Sequence, residues 1–367
     1  MKTTVVGAGI AGLSTAWALT RRGHEVTLLE QGPIPNPLSA SGDYHRIIRR
    51  AYPASTGYGE AITDAYLAWD ELWRDLGQSH YDSRGFMCIS RVQGDDAEIY
   101  LEGMSAGGWD FQLLQPDAAC ERWPFLEPGS FRYAFHSAEG GALHCRRIAS
   151  GMAEWLRGNG CDMREHVRVE EVETDTGTVR LADGSTITAD HVVVTAGAWV
   201  TKLFPDLAST LSVQRTAVVY LEPPADLKEA WSRAPVILDV GGTTDGYIIP
   251  PSGEGGLKFG AGAHRFADAD PDRNRVPYEG EGRDILNLFA PPIARVDEYT
   301  VTDTVTCAYT FTKDERFFAQ QRQKCVIVSA CSGHGYKFGA AVGQHVAESL
   351  ERDDFARLKK WLREGRV

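Results

Sequence analysis

The sequence predicts an α/β protein, a Rossmann-type nucleotide-binding domain interrupted by an inserted β-rich (α+β) domain. Three observations carry that expectation. The first is a complete β-α-β unit at residues 3–30, with a glycine-rich turn between strand and helix. The second is a hydrophobic strand, glycine-rich turn and helix that return at the far end of the chain, from Cys325 onward. The third is the strand-like pattern that fills residues 213–310 between them. At 367 residues the chain exceeds what one hydrophobic core usually holds, so two lobes are expected. Residues 1–80, 141–212 and 300–367 form the discontinuous nucleotide domain in this reading, and 81–140 with 213–299 the inserted one.

Each element follows from local pattern. Thr3-Thr4-Val5-Val6 is a short buried strand running into Gly7-Ala8-Gly9-Ile10-Ala11-Gly12. An alanine- and leucine-rich helix continues to about Arg22, Gly23 stops it, and 25–30 is a second strand. Residues 33–60, rich in Pro, Gly and Ser, read as loop with a basic insert. Aromatic and leucine positions at helical spacing predict a helix over 59–76. Residues 81–140 show little periodicity beyond a helix after Asp95 and a proline-rich stretch at 116–128. A helix over 147–159 leads to strands near 167–172, 178–181 and 186–188, the last two joined by the hairpin signal Asp183-Gly184. The strand 191–195 then ends in Ala196-Gly197-Ala198-Trp199. Strands follow at 213–221, 236–238, 246–249, 257–261, 298–307 and 325–329, and a glycine-rich turn at 332–335 opens a closing helix.

Composition narrows the function. The formal net charge of −12 argues against a nucleic-acid surface, which carries a basic stripe. The apolar runs are far too short to span a bilayer. Seven scattered cysteines without a CxxC pair indicate a reducing compartment, and no leader or retention signal is evident, so the cytoplasm is expected. No histidine/carboxylate cluster suggests a metal. A small-molecule partner fits best.

The GxGxxG turn gives each glycine a task. Gly7 makes the tight turn, Gly9 lets backbone approach a pyrophosphate, and Gly12 permits close helix packing. Ile10 and Ala11 contribute N–H groups of the helix N-terminus, where the dipole favours phosphate. Glu30, eighteen residues beyond Gly12, ends the second strand where a carboxylate accepts from both ribose hydroxyls. This unit alone does not separate NAD from FAD. The meander feeding the strand that ends Thr195-Ala196-Gly197-Ala198-Trp199 resembles the second FAD-contacting segment of amino-acid-oxidase flavoproteins, which assigns Ala196, Gly197 and Trp199 to FAD.

Four stretches extend the resemblance to the monomeric sarcosine oxidase and N-methyltryptophan oxidase family along essentially the whole chain. They are Gly42-Asp43-Tyr44-His45-Arg46-Ile47-Ile48-Arg49-Arg50-Ala51-Tyr52; Tyr247-Ile248-Ile249-Pro250 with Gly256-Leu257-Lys258; Cys307-Ala308-Tyr309-Thr310 with Asp314-Glu315; and Ser332-Gly333-His334-Gly335-Tyr336-Lys337-Phe338. The resemblance implies a flavin bonded covalently to Cys307, with Arg46, Gly333, Gly335, Tyr336 and Lys337 against it. It implies a substrate carboxylate held between Arg49 and Lys337, Tyr247 in the substrate pocket, and Lys258 over the flavin promoting reaction with oxygen. Ser39-Ala40-Ser41 stands where the family has paired histidines, and Gly262 where it keeps another. His45 or His264 could substitute. The expected function is a monomeric FAD-dependent oxidase of the C–N bond of an N-methyl, N-substituted or cyclic amino acid, giving an imine and hydrogen peroxide. A flavin dehydrogenase, a fructosyl amino acid oxidase and a non-catalytic flavin-binding protein are the rival readings.

Overall fold

A computed structural model describes residues 1–329 and 331–366. Its first sheet is built on the strand Lys2–Val6 (β1), which is followed by the helix Ile10–Arg21 (α1) and the strand Glu25–Leu29 (β2). Six strands lie in the order Phe318–Arg322, Cys325–Ser329, His191–Val194, β1, β2, Asp162–Arg164. All neighbours are parallel except the outermost pair, Phe318–Arg322 with Cys325–Ser329. Val5, Val193 and Val326 face one core with α1 and the helix Gly339–Arg352, while Val6, Val192, Val194 and Ile327 face another under the meander. Burial on both faces explains why these strands read as continuous apolar runs and not as alternating ones.

The second large sheet has eight strands, in the order Thr300–Phe311, Ser212–Glu222, Leu257–Ala267, Gly246–Ile249, Val236–Asp239, Phe86–Ser90, Tyr133–Ser137, Gln112–Leu114. One face packs on Phe125, Trp231, Phe289 and the helix Glu281–Asn287. Phe259 in that core is fully buried, a contribution of roughly 1.5–3 kcal/mol. Much of the other face packs on Ile47, Ala97, Met104 and Ala142.

Several expectations change here. Residues 300–311 do not belong with the nucleotide-binding sheet: Thr300–Phe311 pairs with Ser212–Glu222 almost end to end, so it is part of the eight-stranded sheet. The supposed loop at 33–60 contains the strand His45–Arg49 (β3), paired antiparallel with Gly140–His144. Its buried Ile47-Ile48 pair is masked in sequence by flanking His and Arg. The proline-rich stretch holds the helix Pro116–Arg122, with Pro116 in the first turn where its missing N–H costs nothing. The closing helix is two helices, Gly339–Arg352 and Phe355–Glu364, broken at Asp353 in the left-handed region (φ 50°) and restarted by Asp354, whose carboxylate accepts from the Arg357 N–H. No helix among the described residues is long and apolar enough to cross a membrane.

Candidate active site

Between the two sheets runs a cavity of about 510 Å³. The β1–α1 turn forms one wall. Gly7 adopts φ 98°, and a Cβ there would lie 2.7 Å from the Thr195 carbonyl oxygen. Gly12 is outside the cavity; a Cβ on it would lie 1.8 Å from the Gly7 oxygen, so only glycine lets α1 seat against the turn. Gly9, Ile10 and Ala11 line the cavity, and a Cβ on Gly9 would project toward Ser41 Oγ at 3.6 Å. The Ile10 N–H donates to that same Ser41 hydroxyl. Ala196, Gly197 and Trp199, which follow the neighbouring strand His191–Val194, line the cavity beside that turn, and Gly333, Gly335 and Tyr336 line it too.

Glu30 lies in the cavity wall, buried, with its orientation fixed. Oε2 accepts from the Ala8 N–H (2.8 Å), and Oε1 from the Gly32 N–H and Asn36 Nδ2 (both 2.9 Å). A carboxylate has about four acceptor positions, so roughly one remains for a hydroxyl, not the two supposed from sequence. Glycine where backbone must come close, a helix N-terminus on which Ser41 already takes the Ile10 N–H, and a pinned carboxylate are features that an adenine dinucleotide needs, and they fit FAD.

Two cations and a carboxylate come together around β3, and of the three only Arg46 lines the cavity. Arg46 pairs with Asp43, donates to the Ala40 carbonyl (2.8 Å) and reaches the Tyr309 hydroxyl (3.3 Å). Lys258 Nζ donates to Asp43 Oδ2 (3.0 Å) and to the His45 carbonyl (2.6 Å), leaving one N–H uncommitted. The Tyr220 hydroxyl donates to the other Asp43 oxygen. Burial alone would raise the Asp43 carboxyl, but Lys258 and Arg46 hold it well below the usual range. Burial pushes the Lys258 ammonium down to about 8 despite Asp43, and Arg46 adds to the push. Tyr247 stands beside this group, its ring 5.7 Å from Lys258 Nζ. Cys307 is buried next to it: burial raises its thiol, and Arg46 and Arg275 oppose that rise.

Arg49 leaves β3 at its far end, with its guanidinium 3.6 Å from the centre of the Tyr52 ring. Lys337 Nζ is 5.8 Å from the same ring and donates to the His334 carbonyl (3.0 Å). Both side chains are buried, no carboxylate pairs with either among the described residues, and Arg49 Nε and Nη1 have no hydrogen-bond partner. Burial, and then Arg49, depress the Lys337 ammonium well below its ordinary value. Two buried cations without an anion are costly, and a carboxylate between them would relieve the cost.

The two histidines weighed as replacements do not enter this site. His264 bonds Glu281 (2.8 Å), which also binds Arg215, on the face of the sheet covered by the helix Glu281–Asn287. The register explains the correction. Val218 pairs with Gly260 but Thr216 with Arg265, so the extra residues of the strand Leu257–Ala267 reverse which side its later side chains face. The His45 ring lies behind Lys258 against Gly255 and Tyr220, and burial lowers its pKa to about 3. Asp43 and Tyr220 were missed as site residues. The aspartate stood inside a recognised stretch, but nothing local signalled the tyrosine.

The comparisons with known proteins identify the family and the cofactor it uses. The family model described as FAD dependent oxidoreductase matches residues 2–349. The monomeric sarcosine oxidase of Bacillus sp. (strain B-0618) is 26% identical over 363 residues, covering 94% of this chain and 90% of its own. The N-methyl-L-tryptophan oxidase of Yersinia pestis (strain Pestoides F) is 24% identical over 360 residues, covering 94% and 93%. Among solved structures, the L-proline dehydrogenase from P. horikoshii has a TM-score of 0.81 at 19% identity, covering 100% and 98%, a likeness of fold. The chain therefore belongs to the FAD dependent oxidoreductase family, as an enzyme similar to the sarcosine and N-methyltryptophan oxidases that its sequence resembles.

Proposed function

We propose that this enzyme oxidises the C–N bond of a secondary amino acid, N-methyl, N-substituted or cyclic, and passes the electrons to oxygen, yielding an imine and hydrogen peroxide. The observation that carries the reading is the clamp. Arg49 and Lys337 both approach the Tyr52 ring, both buried, and two Arg49 nitrogens have no partner. A carboxylate docked there is fixed by charge-assisted bonds, which orients the carbon beside nitrogen. FAD, when bound, supplies the two-electron acceptor. Tyr247 and Tyr52 exclude water from the pocket. Lys258, with its free N–H and fixed position, stabilises negative charge developing on oxygen. Cys307, buried beside Arg46 and Tyr309, is the residue we assign to covalent flavin attachment. Glu30 takes a ribose hydroxyl. We also infer a monomer of the reducing cytoplasm.

The test is anaerobic mixing of the yellow protein with sarcosine, proline, pipecolate, N-methyltryptophan, a fructosyl amino acid and primary amino acids, following flavin absorbance. Bleaching by an N-substituted or cyclic member, reversed by air with peroxide release, is expected. No bleaching by any of them would remove the clamp assignment first. Colour that stays with the denatured polypeptide supports Cys307, and its loss in Cys307→Ser completes that test.

A further inference from the structure

One buried ionisable group near the clamp has no part in the reaction above. The strand Val236–Asp239 runs parallel to Phe86–Ser90, with Ile237 opposite Met87 but Asp239 opposite Cys88. Leu238 is the extra residue, and the bulge turns Asp239 to the face it shares with Cys88. That face carries Tyr247 and packs against Ile47 of β3 and Tyr100 of the helix Asp96–Ala106, so it is the face that looks toward the clamp. Asp239 is only 6% exposed, and its Oδ2 has no hydrogen-bond partner. The Tyr100 ring lies 5.5 Å from the Arg49 guanidinium carbon, and both the Tyr100 phenol and the Cys88 thiol feel Arg49 and Asp239. An acid and a base, both buried and both with unused bonding capacity, thus share one neighbourhood, yet form no ion pair with each other.

We propose that Asp239 determines specificity by receiving the cationic group of a basic amino-acid substrate whose carboxylate rests on Arg49 and Lys337. This rests on the amino-acid reading of the clamp. A lone buried carboxyl destabilises a fold unless something pairs with it. Burial pushes this one up to about 7, and Asp96 and Asp245 add to the rise although the Gly241 N–H opposes it. Asp96 and Asp245 supply negative charge nearby, Asp245 sharing its own with Arg265 (3.4 Å), and the balance favours a cation over a neutral donor. The net charge of −12 draws a basic substrate in the same sense.

A matched pair of probes tests it: Nα-methyl-L-lysine against Nα-methyl-L-norleucine, which differ in the terminal ammonium. The wild-type enzyme should be bleached anaerobically with at least a 30-fold higher kcat/KM by the lysine compound, and Asp239→Asn should bring that ratio to within threefold of one. The melting temperature of Asp239→Asn should be unchanged or higher, since the amide keeps an oxygen for the Gly241 N–H and the other carboxylate oxygen has no bond to lose. A wild-type ratio near one, a ratio that survives the substitution, or a melting temperature several degrees lower overturns the proposal. In each of those cases bleaching itself leaves the amino-acid reading standing. Failure of both probes and of every amino acid in the wider panel overturns both.

Discussion

The cradle for the dinucleotide and the pocket beyond it treat buried charge in opposite ways. In the cradle the Glu30 carboxylate is bonded to Ala8, Gly32 and Asn36, all within 22 residues of it in the chain. In the pocket Arg49 keeps two nitrogens and Asp239 one oxygen without a partner. Between them, Lys258 and Arg46 share Asp43, brought across 215 residues in the case of Lys258. The lesson is energetic. On the proposed function, the region that holds a resident cofactor is largely finished by the chain itself, whereas the region assigned to a transient ligand retains charges for that ligand to complete. Such local costs are tolerable because the surrounding sheets over-determine the geometry.

The comparison can be broken from the cradle side. Gly12→Val would drive side-chain atoms into the Gly7 carbonyl, where even a Cβ has 1.8 Å. The expected result is protein that takes up no FAD, checked by the absence of flavin absorbance after reconstitution, with stability lowered by on the order of 3 kcal/mol or more. From the pocket side, Arg49→Met removes a buried charged donor set and should lower kcat/KM for flavin bleaching about 100-fold or more, while FAD content is retained. Loss of colour in this variant would show that Arg49 finishes the cradle and not the pocket.

Smaller effects sharpen the boundary. Lys258→Met should slow air reoxidation about 100-fold with a modest change in anaerobic bleaching. Because the Lys258 ammonium titrates near 8, its charge is present at lower pH and lost as pH rises through that value. Wild-type reoxidation should therefore fall above about pH 8, and the methionine variant should lack that limb. The smallest effect on activity belongs to His264. His264→Asn should leave bleaching within about twofold, yet cost about 1–2 kcal/mol of stability through its bond to Glu281, read by denaturant titration.

What could be read from sequence was whatever depends on neighbours along the chain. The β-α-β unit, its three glycines, the acid ending β2 and the hairpin at Asp183-Gly184 each follow from a few consecutive residues, and the structure keeps them. Arg49, Lys337, Lys258, Tyr247 and Cys307 were identified by resemblance, since no local rule tells a buried strand lysine from a solvated one. Tertiary structure alone decided that β3 exists, that Thr300–Phe311 joins the eight-stranded sheet, that Asp43 and Tyr220 surround Lys258, and that His264 faces away. The physical reason is common to all four. A strand's side chains alternate between faces, so one extra residue in a ladder redirects everything beyond it. Which ladder a strand joins is settled by partners 78 to 99 residues distant in these two cases, whose contribution is absent from any local pattern.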